Sequence, residues 1–158
     1  MNKKEIYLIL EDLRSAENVG AIFRTADAAG AAKIFLVGTT PSPVDRFGRE
    51  QKKIAKAALG AEKSVAFEYH KDIFSLFSYL REKGITIIAV EQNKDAVDYK
   101  DIDAANSTAF VFGNEVNGVS ARALQESDAI ASIPMLGEKE SLNVSVAVGI
   151  FLYRVLGI

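Results

Sequence analysis

Three short stretches of this sequence concentrate residue types that do chemistry. The first, Asn18-x-Gly20-x-x-x-Arg24, sets an amide and a guanidinium at the start of a helical pattern. A helix N-terminus with free N–H groups, followed by a guanidinium, suits a phosphate or a polarised oxygen. The same residues also fit a plain surface helix, with Ser15 or Asn18 as its cap and Arg24 paired to Asp27. The second, Phe112-Gly113-Asn114-Glu115-Val116-Asn117-Gly118, runs a buried strand into a turn holding an acid, two Asn and two Gly. It also reads as an ordinary turn with Ser120 capping the next helix. It lacks the GxGxxG fingerprint and the Gly-Lys-Ser/Thr ending of a P-loop, which argues against a dinucleotide or nucleoside triphosphate site. The third runs from Ile133-Pro134-Met135 to Ser141-Leu142-Asn143-Val144-Ser145, where small polar residues interrupt the start of an apolar helix. A fourth feature is charge: Arg46, Arg49, Lys52, Lys53 and Lys56 fall within eleven residues, diluted by Glu50. Such a run is either a solvated helix face or an RNA-facing patch.

Composition removes other chemistries. The 158 residues contain no Cys and a single His, His70. Disulfides, thiolate zinc sites, iron–sulfur clusters and a Cys nucleophile are therefore out, as is a multi-His metal site, and no metal is expected. A Ser/His/Asp triad would have to use His70. With 49% hydrophobic and 25% charged residues, the chain reads as one folded domain, 1–158. Met1 to Glu5 precede an apolar run, Ile6 to Leu10, too short for a signal peptide, and no stretch is long enough to span a bilayer. The expected location is the cytoplasm, with no membrane partner. The net charge of −2, from 19 Lys+Arg against 21 Asp+Glu, argues mildly against nucleic acid unless charge is concentrated locally, as it is over 46–56.

These residues need elements to position them. Strands are expected at 6–10, 33–37, 64–69, 85–90, 108–112 and 129–133, alternating with helices at 17–29, 49–59, 73–83, 120–126 and 142–156. In the first helix Val19, Ile22, Phe23 and Ala26 form the core stripe, leaving Gly20, Arg24 and Asp27 on the other side. Alternation of this kind means an α/β fold, a mainly parallel sheet flanked by helices, with its ligand site in the loops after the strands. The last helix is apolar on more than one face, through Val144, Val146, Val148, Ile150, Phe151, Leu152, Val155 and Leu156, which calls for a second surface to cover it.

Taken together and in order, the three motifs closely resemble the SpoU (TrmH-like) branch of the SPOUT family, S-adenosylmethionine-dependent RNA ribose 2′-O-methyltransferases. The resemblance covers essentially the whole chain. It implies a C-terminal deep trefoil knot and a homodimer in which both subunits contribute to the site. It also implies that S-adenosyl-L-methionine is held by Gly113, Ile133, Met135, Leu142 and Asn143, largely through backbone groups. Arg24 would serve the ribose 2′-hydroxyl, with Asn18, Glu115, Ser141 and Asn143 orienting it, the ribose and the cofactor. A guanidinium stays protonated and cannot accept the proton, so Arg24 is expected to anchor a phosphate and stabilise an emerging alkoxide. Contact with tRNA or rRNA would fall to Arg24, Arg46, Arg49, Lys52, Lys53 and Lys56, since no additional RNA-binding domain is expected. The competing reading is a catalytically inactive RNA-binding or assembly protein with the same fold. A phosphoacceptor receiver would explain Glu11 and Asp12 at a strand end, but no Lys sits in the late loop where one would be needed.

Overall fold

The computed structural model describes residues 4–158; residues 1–3, part of the N-terminal stretch considered above, lie outside the described residues. In chain order the elements are β1 (Ile6–Glu11), α1 (Ala16–Ala29), β2 (Lys33–Val37), α2 (Lys52–Ala58), α3 (Ala61–Ser64), β3 (Ala66–His70), α4 (Ile73–Glu82), β4 (Thr86–Val90) and β5 (Val97–Asp98). A short 3-10 turn (Tyr99–Asp101) leads on to β6 (Thr108–Phe112), α5 (Ala121–Glu126), β7 (Ala129–Ser132) and α6 (Val144–Leu156). The strands form one parallel sheet in the order β3-β2-β1-β6-β4-β7-β5.

Strand residues alternate between the two faces, so each central strand feeds two cores. Leu8 and Leu10 of β1 and Phe110 and Phe112 of β6 pack toward α1, α2 and α6. Ile9, Ala109 and Val111 face the other way, toward Leu76, Phe77 and Leu80 of α4 and Ala123 of α5. Phe151 of α6 meets the rings of Phe110 and Phe112 edge-on, at centroid distances of 4.9 and 5.9 Å. This seats the start of α6 over the carboxyl ends of the middle strands.

Several expectations are corrected. The helix drawn over 49–59 begins only at Lys52, because the Asp45 carboxylate accepts hydrogen bonds from the N–H groups of Phe47 and Arg49 and holds 45–49 in a tight turn. That helix ends where Leu59 takes φ +52°, and α3 takes up Ser64, the residue expected to begin the third strand, which runs instead from Ala66 to His70. The sheet has a seventh strand, β5, whose two residues are too few to register as periodicity. Ser15, not Asn18, caps α1, accepting from the Asn18 N–H at 3.1 Å. Asp27 accepts from the Ser64 hydroxyl at 2.8 Å, and no Arg24–Asp27 ion pair forms among the described residues. Gly20 is buried: a Cβ there would lie 2.6 Å from the Ile54 carbonyl and 2.7 Å from the Ala57 methyl, so its bare backbone lets α2 close onto α1. The last helix starts at Val144, leaving Ser141 and Leu142 in the preceding loop.

Candidate active site

The ends of three strands, β4, β6 and β7, meet the start of α6 at one cavity of about 360 Å³, within the range of small-molecule sites. Its floor is the turn after β6. Asn114 Oδ1 accepts from the N–H groups of Val116 and Asn117, both at 2.9 Å, and the Asn114 carbonyl accepts from the Gly118 N–H at 2.8 Å. The turn closes so tightly that a Cβ on Gly113 would overlap the Gly118 carbonyl and the Val119 nitrogen. Gly118 itself has φ +70°, a conformation costly for other residues, and a Cβ there would strike the Glu91 carboxylate. The two glycines of the second motif are thus demanded by geometry at both positions.

Carboxylates fasten this turn to its neighbours. Glu91, directly after β4, accepts from the Val119 N–H at 2.9 Å, and Gln92 donates its amide to the Ile133 carbonyl at 2.6 Å. Glu11, only 4% exposed at the end of β1, accepts from both the N–H and the hydroxyl of Ser120 at 2.8 Å. Asn114 donates its amide to the Asp12 carbonyl at 2.8 Å. Glu115 accepts from the N–H of Arg14, at 2.9 and 3.1 Å to its two oxygens, and from that of Ser15 at 3.2 Å, tying the second motif to the start of α1. Burial pushes the Glu115 carboxyl upward, but these N–H groups and the Asn18 side chain outweigh it and hold the group below the ordinary carboxylate value.

The third motif forms the opposite wall. Asn143 caps α6, its Oδ1 accepting from the N–H of Ser145 at 2.9 Å and of Val146 at 3.4 Å, and its amide donates to Asn18 Oδ1 at 3.4 Å. The Ser145 hydroxyl also donates to Asn143, so Ser145 is explained by capping. Asn18 consequently ties the start of α1, which Glu115 fastens through Arg14 and Ser15, to Asn143, far away in sequence. Among the described residues, no backbone N–H of 135–142 donates within the chain, so Ser141 and Leu142, the part of this loop that lines the cavity, bring free N–H groups beside the apolar walls of Phe112, Ile133, Val144 and Ala147.

Of the residues singled out in the sequence, Gly113, Glu115, Ile133, Ser141, Leu142 and Asn143 line the cavity, and Asn18 reaches it through Asn143. Met135 does not line it. Neither does Arg24, which sits exposed on α1 roughly 9 Å along the helix from Asn18 and makes no ion pair among the described residues. Arg46, Arg49, Lys52, Lys53 and Lys56 are all exposed, on the loop after β2 and on α2. Glu91 and Gln92 belong to none of the motifs, although the loop they open follows a β-branched strand and so lies among the strand-end loops where a ligand site is expected. No group of three or more metal-ligating side chains gathers among the described residues, and no helix there is long and apolar enough to cross a membrane.

A parallel sheet covered on both faces, with a glycine-floored cavity at the carboxyl ends of its middle strands, defines an α/β ligand-binding domain. Residues 5–153 match the model of the SpoU rRNA Methylase family, and the chain belongs to that family. It is 36% identical over 150 residues to a tRNA (guanosine(18)-2′-O)-methyltransferase of Thermus thermophilus, covering 95% of this chain and 73% of that protein. It is 33% identical to the protein of the same name from Escherichia coli, over 95% of this chain and 62% of that one. The AdoMet-bound rRNA methyltransferase from Sinorhizobium meliloti superposes with a TM-score of 0.86 at 32% identity, over 96% of this chain and 55% of that one. The chain thus spans between about half and three quarters of these relatives.

Proposed function

We infer that this chain is an S-adenosylmethionine-dependent RNA methyltransferase that transfers a methyl group to a ribose 2′-hydroxyl of tRNA or rRNA. The observation that carries the reading is the convergence of the second and third motifs on one cavity, with Asn18 of the first hydrogen-bonded to Asn143 at its wall. The residues fit the cofactor. Phe112, Ile133, Leu142 and Val144 give apolar walls for a nucleoside, the backbone of Ser141 and Leu142 gives unpaired N–H groups, and Glu91 and Glu115 give a negative field suited to a sulfonium cation. When bound, S-adenosylmethionine supplies the electrophilic methyl group.

The chain's own residues do the rest. Glu115 holds the start of α1, and with it Asn18, in register with the cavity. Asn18, Ser141 and Asn143 orient the reacting groups. Arg24, a fixed cation, anchors a phosphate and stabilises charge growing on the ribose oxygen, the proton passing to another group or to water.

Arg24 lies outside its own protomer's cavity, and this favours a homodimer. α1 and α6 lie side by side, since a Cβ on Gly149 would be 3.7 Å from the Thr25 methyl. Val146, Ile150 and Tyr153 form an exposed stripe along α6. A second copy packed on this stripe covers it and carries one Arg24 toward the partner's cavity. The strand order β6-β4-β7, with 133–143 then crossing to α6 on the face opposite α5, supports the knotted threading implied by the motifs. The exposed cations of 46–56 meet phosphates, which makes binding strongly salt-dependent. This RNA chemistry belongs in the cytoplasm.

The test is incubation with methyl-labelled S-adenosylmethionine and total tRNA or rRNA, followed by mapping of ribose methylation. Transfer that disappears in Arg24→Ala supports the reading. Retained transfer in that variant overturns the role of Arg24, and failure of the native chain to bind the cofactor by calorimetry favours the non-catalytic RNA-binding reading.

A further inference from the structure

The geometry points to a nucleobase-stacking site at the β2–β3 edge of the sheet, separate from the cofactor cavity. This inference rests on the reading of the chain as an RNA methyltransferase and names one way it grips its RNA. A hollow of about 610 Å³ is lined by Thr40, Ser42, Val44, Phe47, Arg49 and Tyr69, among others. Phe47 is 67% exposed and Tyr69 54%, and neither joins a core cluster.

The backbone that carries Phe47 and the hydroxyl of Tyr69 are nevertheless held in place. The Asp45 carboxylate accepts from the N–H groups of Phe47 and Arg49, at 2.8 and 2.9 Å, and pairs with Arg49 Nε at 2.8 Å. The antiparallel bridge between Val44 and Glu50 closes the loop. The guanidinium carbons of Arg46 and Arg49 lie 4.8 and 5.1 Å from the centre of the Phe47 ring. Tyr69 donates its hydroxyl to the Gly38 carbonyl at 2.8 Å. A ring carried on a pinned backbone and a second tethered by its hydroxyl, both largely in water, have already lost part of the freedom that binding would otherwise cost.

Charge selects the occupant. Arg46 beside the hollow, and Lys52 and Lys56 on α2, make no ion pair among the described residues; Arg49 alone is neutralised, by Asp45. Flat apolar faces bordered by uncompensated cations match a polyanion that carries aromatic rings, which is single-stranded RNA. The hollow and the cofactor cavity share the carboxyl rim of the sheet, and β2 and β4 are three strand spacings apart, about 14 Å. A short single-stranded segment covers that distance. A base on Phe47 therefore comes from the neighbourhood of the modified nucleotide. Stacking adds affinity that salt does not screen, unlike the phosphate contacts of the lysines.

The experiment compares the full chain with Phe47→Ala, Phe47→Trp and Tyr69→Ala. Two probes are used across a salt series: a fluorescent oligoadenylate and an abasic ribose-phosphate strand of equal length. The expected result is that either alanine variant weakens oligoadenylate binding roughly five- to a hundredfold, with abasic binding and the salt slope unchanged. Phe47→Trp is expected to retain the affinity. Equal losses on both probes, or no loss on either, overturn the proposal. So does a changed sedimentation coefficient in Phe47→Ala, which would place a second copy of the chain in the hollow. Methyl transfer to total RNA is measured in parallel. If the native chain transfers methyl but the probes fail to discriminate, only the stacking site falls; if the probes discriminate but no methyl is transferred, only the enzymatic reading falls.

Discussion

Replacing Glu115 tests whether the second motif positions the first. The carboxylate receives three N–H contacts from Arg14 and Ser15, at 2.9, 3.1 and 3.2 Å. Each charge-assisted bond is worth roughly 1.5–3 kcal/mol when buried. Glu115 is half-buried and water replaces part of what is removed, so Glu115→Ala is expected to cost about 2 kcal/mol in all. For a domain of this size that is a melting temperature lower by about 4–8 °C. Glu115→Gln keeps one accepting oxygen but turns an NH₂ toward a backbone donor, and should lose roughly half as much. The pH dependence has a definite sign. The folded carboxyl titrates below its ordinary 4.5, so its contribution is complete above that value and disappears as the pH falls through the folded value. Melts of native chain and Gln variant should therefore differ at pH 7 and converge below the ordinary carboxylate range. Methyl transfer should fall in both variants with cofactor affinity less affected, since Asn18 loses its anchor while the apolar walls remain. Coincident melts at pH 7, or a gap that widens on acidification, would refute the reasoning.

Three further outcomes follow from the same geometry. Gly113→Ala is expected to lose cofactor binding by calorimetry and about 1–3 kcal/mol of stability, because the methyl must displace the Gly118 backbone; Gly137→Ala, in open space, is the control. Gly20→Ala pushes α2 off α1 and should lower the melting temperature by several degrees, without altering cofactor affinity. Ile150→Asp on the exposed stripe of α6 should shift the sedimentation coefficient from dimer to monomer and abolish methyl transfer; transfer by a monomer would exclude a site completed by the partner.

How far the molecule was legible in its sequence depended on the range of the interactions. Buried parallel strands such as β1, β4 and β6 are uninterrupted apolar runs and stand out. β5 does not, because only its pairing with β7 makes those two residues a strand. The boundaries of α2 were misplaced because the Asp45 side chain competes with the helix for the Arg49 N–H, a local bond that periodicity ignores. Gly20 falls on the outer face for a similar reason: an angular projection shows which side a residue occupies, not that another helix comes to that side. At the site, the motifs name Asn18 and Asn143 without showing that they hydrogen-bond to each other, and Glu91 belongs to no motif. Such bonds between distant segments exist only once the sheet has assembled.

The place of β6 bears on how the chain reaches its folded state. It lies between β1 and β4, and without it those strands have no common partner. Residues 6–70 can zip β1, β2 and β3 together early in synthesis, but the inner edge of β1 then stays open until residues 108–112 emerge. Contacts between segments so far apart in the chain make folding slow, and an unpaired apolar edge invites association with other chains while it waits. A single five-residue strand is thus the keystone of assembly, and lesions there should appear as lost yield and rapid proteolysis before they appear as lost activity.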